Sequence, residues 1–195
     1  KSIIFFTLLI FSSFSVSGNE VEEYVLEQHT NIFKYIKNSK DLLVTYRTNF
    51  LLGLEKISQN LIDPREISKR VLGKKNFDRA SKEQRKKFDQ KFKNTLFDTY
   101  SNALVEINNS NITIQKHLHP NERLDRAIVY MGVKVSDTEF NLIYKMIKIK
   151  GEWKISGIIL DGIDLISIFR KQFKKLLLDS DGNLDSAIQN WEIES

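Results

Sequence analysis

Between Glu139 and Lys150 the chain reads EFNLIYKMIKIK, and this stretch limits the fold more than any other. Taken as a strand, it is apolar on both faces: Phe140, Leu142, Tyr144 and Met146 on one, Ile143, Ile147 and Ile149 on the other. A strand of that kind has to be covered on both sides or face something greasy. Its flanks are strands too. Ile112 and Ile114 alternate with Thr113 and Gln115, Ala127 to Val135 forms a second run, and Ser136-Asp137-Thr138 turns between that run and the two-faced strand. Lys150-Gly151-Glu152 then turns into a strand in which Trp153, Ile155 and Ile159 alternate with Lys154 and Ser156. Short turns between successive strands predict an antiparallel meander.

The covering layer has to come from the helical segments around it. Val21, Tyr24, Val25, Ile32, Phe33 and Ile36 form one stripe, and Leu42, Leu43, Tyr46, Phe50, Leu54, Ile57 and Leu61 another. The polar Asn38-Ser39-Lys40 predicts a break between two helices, with Ser39 capping the second. Asp63-Pro64-Arg65-Glu66 reads as a helix start, with Asp63 as cap, Pro64 in the first turn and Glu66 at the reciprocal position. Ile67, Val71 and Leu72 point inward, and Gly73 is placed to end that helix. Ser81-Lys82-Glu83-Gln84 starts a helix carrying Phe88, Phe92, Leu96, Tyr100 and Leu104 at a spacing of four. Asp161-Gly162 breaks the Trp153 strand. Asp164 then caps a helix with Leu165, Phe169, Phe173, Leu176 and Leu177 on its apolar side. Gly182 breaks this helix, and Asp185 is the expected cap of a short last one.

The start of the chain predicts export. Lys1 precedes an apolar run from Ile3 to Phe11, shorter than the ~20 residues a spanning helix needs, and Ser15-Val16-Ser17 supplies small residues for a peptidase. We therefore expect a signal peptide over residues 1–17, cut near Ser17, and a single soluble domain over 18–195. With no cysteine in 195 residues, disulfides, thiol catalysis and cysteine-held metals are excluded. The net charge of +5 permits contact with an acidic surface. Twelve Lys/Arg against four Asp/Glu between Arg65 and Lys93 make that stretch a solvated face or a docking surface for an acidic partner or anionic bilayer. Nucleic acid fits poorly, because no binding motif occurs and the aromatics lie on the buried stripe.

Catalytic signatures are missing from the pattern. His117-Leu118-His119-Pro120 with Glu122 resembles half of a metal site, but the proline breaks the geometry and a third ligand is not evident. Asp179, Asp181, Asn183 and Asp185 alternate like a calcium loop, but Gly182 comes two positions early and Asn190 stands where a bidentate Glu belongs. An acid/base enzyme would need an ionisable group among the inward positions, and the pattern offers only tyrosines there.

Residues 67–104, ISKRVLGKKNFDRASKEQRKKFDQKFKNTLFDTYSNAL, resemble the MlaC family of bacterial periplasmic phospholipid-binding proteins. The matching features are Val71-Leu72-Gly73, Ala80-Ser81-x-Glu83-Gln84-Arg85, then Phe88, Phe92, Leu96 and Thr99-Tyr100. Trp153-Lys154-Ile155, Asp161-Gly162-Ile163, Phe169-Arg170 and Phe173 also match family features in order and spacing. The departures are Asn76-Phe77, Ser156-Gly157 where the family usually has Tyr-Asp, and Asp164 for a usual Ser. The resemblance implies an α+β fold, a twisted antiparallel meander wrapped by helices and similar to the nuclear-transport-factor-2-like cone, with an apolar cavity. It implies a phospholipid as cargo and no other cofactor. It further implies a periplasmic, non-enzymatic carrier working between an inner-membrane ABC transporter complex and an outer-membrane lipoprotein complex to maintain lipid asymmetry.

The expected lipid-lining residues are Val71, Leu72, Phe88, Phe92, Leu96, Tyr100, Tyr130, Val133, Leu142, Tyr144, Met146, Ile155, Ile158, Leu165 and Phe169, with Arg170 at the headgroup or in a structural pair. A monomer that touches membrane surfaces transiently is expected. The competing readings are a periplasmic adaptor docking through the basic stretch and an enzyme on the same cone.

Overall fold

The computed structural model describes residues 20–106, 111–135 and 137–192; the expected signal peptide with its cleavage point lies outside them, as does Ser136 of the expected turn. Helix α1 (Glu20–Thr45) leads into α2 (Arg47–Ser58), α3 (Pro64–Arg79) and α4 (Lys82–Glu106). Strands β1 (Asn111–Leu118), β2 (Arg126–Val135), β3 (Thr138–Ile149), β4 (Glu152–Leu160) and the two-residue β5 (Ile163–Asp164) follow, and then α5 (Leu165–Asp179) and α6 (Leu184–Gln189). The sheet order is β1-β2-β3-β4-β5, with every pair antiparallel, so the expected meander is present. Two of its turns use a positive-φ pair, Lys150-Gly151 (53° and 87°) and Asp161-Gly162 (47° and 82°). That backbone follows the right-handed twist of the strands, which is why Gly occupies the second place in both.

The helix starts mostly match their sequence signals. Asp63 accepts the Arg65 N–H at 2.9 Å. Ser81 and Gln84 cap reciprocally, Gln84 N–H donating to Ser81 Oγ at 3.1 Å and Ser81 N–H to Gln84 Oε1 at 2.9 Å. Asp164 accepts the Ser167 N–H at 3.0 Å.

Four expectations are corrected. Helix α1 runs straight through Asn38-Ser39-Lys40 and stops only at Tyr46, whose φ of −140° leaves the helix. Asn and Ser are only slightly poorer helix formers than Ala, and without Gly or Pro they do not break a helix. Ser39 is therefore not a cap. Glu66 pairs with Arg70 one turn on, at 2.8 Å, instead of turning back toward its cap. The last helix is capped by Asn183, while Asp185 accepts from Gln84 Nε2 at 2.9 Å. Gly73 (φ 73°, ψ 156°) kinks the chain between two helical pieces, and helix resumes to Arg79.

Two apolar clusters result. The helical cluster joins Ile67, Val71 and Leu72 of α3, Phe88 and Phe92 of α4, Phe169 and Phe173 of α5, and Trp191 beyond α6. The sheet cluster lays Val21, Val25, Ile32 and Ile36 of α1, with Phe50 and Leu54 of α2, over Val129, Met131, Met146 and Ile155 of the sheet. Ile62 packs against both. At this seam the α2–α3 connection runs beside the sheet edge, with Ile155 N–H donating to Leu61 O at 2.8 Å.

Candidate functional site

Strand register decides which nominated residues share a face. Pairing aligns Val129 with Tyr144, Met131 with Leu142, and Val133 with Phe140. Val133, Leu142, Tyr144 and Met146 therefore point to the inner face under α1. Tyr130 is an odd number of positions from Val133 and points the other way. It pairs with Ile143, and Lys116 Nζ lies 4.9 Å from its ring centroid. Tyr130 is thus not brought together with the other nominated residues. Ile155 and Ile158 are also an odd number apart, yet both face inward. Tyr144 pairs with Ile158 and Met146 with Ile155, so Ser156 is an extra residue in a bulge. Its hydroxyl donates to Lys145 O at 3.0 Å. Beside it, a Cβ on Gly157 would lie 3.0 Å from Lys145 Cδ, so the small residue lets the lysine stem cross the strand.

The nominated set divides between the clusters. Val71, Leu72, Phe88, Phe92 and Phe169 belong to the helical core, with Leu96, Tyr100 and Leu165 packed against it. Met146 and Ile155 belong to the sheet core, with Leu142, Tyr144 and Ile158 against it. Arg170 is exposed and donates from Nε to Arg70 O at 2.7 Å, tying α5 to α3. The second face of β3 carries Ile143, Ile147 and Ile149, which are half-buried and belong to neither cluster's core. Two surface clefts open along α2 and α4. One of about 440 Å³ is lined by Glu55, Asp63, Asp89, Lys93 and Lys154, and one of about 640 Å³ by Leu51, Leu52, Phe97 and Asp98, among others. The nominated residues line neither cleft; most of them pack within the two apolar clusters.

Among the inward residues that sequence reasoning missed are Trp191, Gln28 and His29. Trp191 is fully buried, its ring 5.6 Å from Phe88, 5.9 Å from Phe92 and 5.9 Å from Phe173. Gln28 and His29 are only 5% and 7% exposed, on the core side of α1. The signal was there: the α1 stripe Val25, Ile32, Ile36 has a gap where helical spacing requires inward residues, and Gln28-His29 fills it. The expectation that only tyrosines are ionisable among the inward positions is therefore corrected. His29 Nε2 lies 3.1 Å from the Tyr144 hydroxyl, with the rings edge to face at 5.5 Å. Burial lowers the His29 pKa to about 4 and raises that of Tyr144. The pair is neutral across the physiological range, where it is joined by a hydrogen bond between uncharged groups.

The other sequence candidates have local partners. His117 Nδ1 meets Glu22 at 2.7 Å and His119 Nδ1 meets Arg126 O at 2.6 Å. Among the described residues, no group of three or more His, Asp or Glu is placed to hold a metal ion. No helix among them is long and apolar enough to cross a membrane.

The MlaC protein family profile matches residues 27–193. This chain belongs to the MlaC family. The toluene tolerance protein ttg2D of Pseudomonas putida is 28% identical over 187 residues, 94% of this chain and 85% of that protein. The fold is also that of a phospholipid-binding protein from Ralstonia solanacearum, solved in complex with a phospholipid. The two superpose with a TM-score of 0.74 at 20% identity, over 86% of this chain and 92% of that one. Two of the residues that set this MlaC chain apart from the usual family pattern now have structural roles. Ser156 forms the β4 bulge, and Asp164 both caps α5 and binds Lys145 Nζ at 2.9 Å.

Proposed function

We propose that this MlaC-family chain is a periplasmic phospholipid carrier. The observation that supports it most is the apolar inner face of the sheet, lidded by α1, in a fold whose Ralstonia relative is solved with a phospholipid bound. In this reading the acyl tails enter along the seam marked by Ile62, which packs against both clusters. Around them lie the nominated side chains of both clusters, from Val71, Phe92 and Phe169 to Leu142, Met146 and Ile158.

The energetics suit a carrier. Two tails of ~30 methylenes in all, at ~0.8 kcal/mol each, make escape into water unfavourable by on the order of 24 kcal/mol. A bilayer offers nearly the same burial, so exchange between protein and membrane is close to neutral. No chemical step is required of a carrier. In this reading a leader is cut near Ser17 and residues 18–195 work as one monomeric domain. The domain exchanges cargo with an inner-membrane ABC transporter complex and an outer-membrane lipoprotein complex.

Native mass spectrometry of protein purified without detergent tests the proposal. A population carrying phospholipid mass, removed by organic extraction and regained from vesicles, is expected. Protein that is lipid-free at purification and takes nothing from vesicles would refute it.

A further inference from the structure

Two consecutive residues of α1 place polar atoms inside the sheet cluster without partners: Gln28 Oε1 and His29 Nδ1. Each buried, unpaired polar atom costs roughly 1–3 kcal/mol, and an apolar side chain would complete the stripe of Val21, Val25, Ile32 and Ile36 without that cost. Such atoms call for an explanation, and a ligand that satisfies them is one.

Proton counting defines what is on offer. His29 is neutral, so it carries one N–H. If that proton sits on Nε2, it is donated to the Tyr144 oxygen, and the tyrosine O–H is left unspent. If it sits on Nδ1, the tyrosine O–H is donated to Nε2, and the Nδ1–H is left unspent. Either tautomer leaves the pair with one unused donor in apolar surroundings. Phe33, tilted at 6.0 Å from the His29 ring, offers no acceptor.

We infer that the His29–Tyr144 pair is a subsite for an ester carbonyl of an acyl lipid, set in the apolar interior beneath α1. An ester carbonyl accepts and has nothing to donate, and it sits at the head of a hydrocarbon chain, which matches an unspent donor within the apolar sheet cluster. This rests on the phospholipid-binding reading and specifies where the polar end of a tail is held. It also explains why His29 interrupts a stripe that would be more stable filled with Leu or Ile.

The test compares a diacyl phosphatidylglycerol with its dialkyl ether analogue of the same headgroup and chain length, each displacing a fluorescent phospholipid from delipidated full chain. The wild type is expected to prefer the ester by roughly tenfold, the worth of one hydrogen bond of about 1.4 kcal/mol. In the double variant His29→Leu/Tyr144→Phe the ratio falls to about one and the urea midpoint does not fall. A merely structural pair would instead lower the midpoint and leave the ratio alone. Equal wild-type binding of ester and ether overturns the inference while sparing the carrier reading, and needs no variant. A ratio retained in the double variant also overturns it. Binding of neither lipid by the wild type refutes the carrier reading and the subsite together.

Discussion

The helical cluster around Trp191 and the sheet cluster under α1 bury similar aliphatic and aromatic side chains, but their polar content differs. In the helical cluster Phe88, Phe92, Phe173 and Trp191 are each fully buried, with ring centroids between 4.9 and 5.9 Å apart. Its one polar atom without a partner is the indole N–H of Trp191, on a ring that is otherwise apolar. The sheet cluster takes in Gln28 and His29 and sets the Tyr144 hydroxyl against an imidazole. The first arrangement maximises contact and accounts for itself as structure. The second gives up stability at chosen positions, as binding surfaces do.

The largest effect should come from hollowing the helical cluster. Phe92 touches Phe88, Phe169 and Trp191 with ring centroids 5.9, 5.8 and 5.9 Å away. Phe92→Ala should cost about 3–5 kcal/mol in urea unfolding, because a buried ring is lost and its neighbours relax only partly. The ester-over-ether ratio should survive. A ratio that collapses with Phe92 while stability holds would reverse the assignment of the clusters.

The sheet cluster should respond to pH through His29. His29 takes up a proton at an ordinary pH near 6.5 when unfolded but only near 4 when buried. Between those values the unfolded chain binds more protons than the folded one, so stability is full above 6.5 and declines as pH falls. The loss reaches about 3 kcal/mol at the foot of the window. Urea midpoints from pH 7.5 to 4 should show it, and the slope over that range should flatten in His29→Leu/Tyr144→Phe. An unchanged slope would mean that His29 is solvated in solution.

Much of the fold was legible because local signals and tertiary needs agree. The period change at Ile112, the positive-φ glycine turns and the Asp63, Ser81 and Asp164 caps all stand where the sequence put them. The break at Asn38-Ser39-Lys40 failed because polar residues on an exposed helix face carry no stop signal. Which side chains share a sheet face was legible only up to the Ser156 bulge, which resets the alternation on β4 and brings Ile155 and Ile158 together. Tyr130 was misplaced by the same parity that places Val133. Trp191 and the Gln28-His29 pair were out of reach by residue type, since a terminal Trp reads as tail and a polar pair reads as surface. Only the gap in the α1 stripe marked the second.

Gly73 tests the helical cluster through its backbone. At φ 73° and ψ 156° it occupies a region open almost only to glycine, and nothing lies within 4 Å of the position a Cβ would take. Gly73→Ala should therefore cost about 1–3 kcal/mol from conformation alone. The kink aims Val71 and Leu72 into the core and leaves Phe77 half-buried against its edge, with the Arg85 guanidinium 4.1 Å from its ring centroid. A neutral Gly73→Ala in thermal melts would show that the kink is not held in solution.

The smallest effect belongs to the joint between the clusters. Asp164 ends the sheet and starts α5: one carboxylate oxygen accepts the Ser167 N–H at 3.0 Å and the other the Lys145 ammonium at 2.9 Å. Ser keeps the cap and drops the ion pair, whereas Ala drops both. Asp164→Ala should cost about 1 kcal/mol, the usual worth of a cap, and Asp164→Ser only a few tenths, because the Lys145 side chain is 45% exposed and surface pairs contribute little. The difference between the two substitutions, read from urea midpoints at neutral pH, isolates the cap. If Ser costs as much as Ala, the Lys145 bond fixes the angle at which α5 leaves the sheet, and the helical cluster is positioned by electrostatics at its edge as well as by packing at its centre.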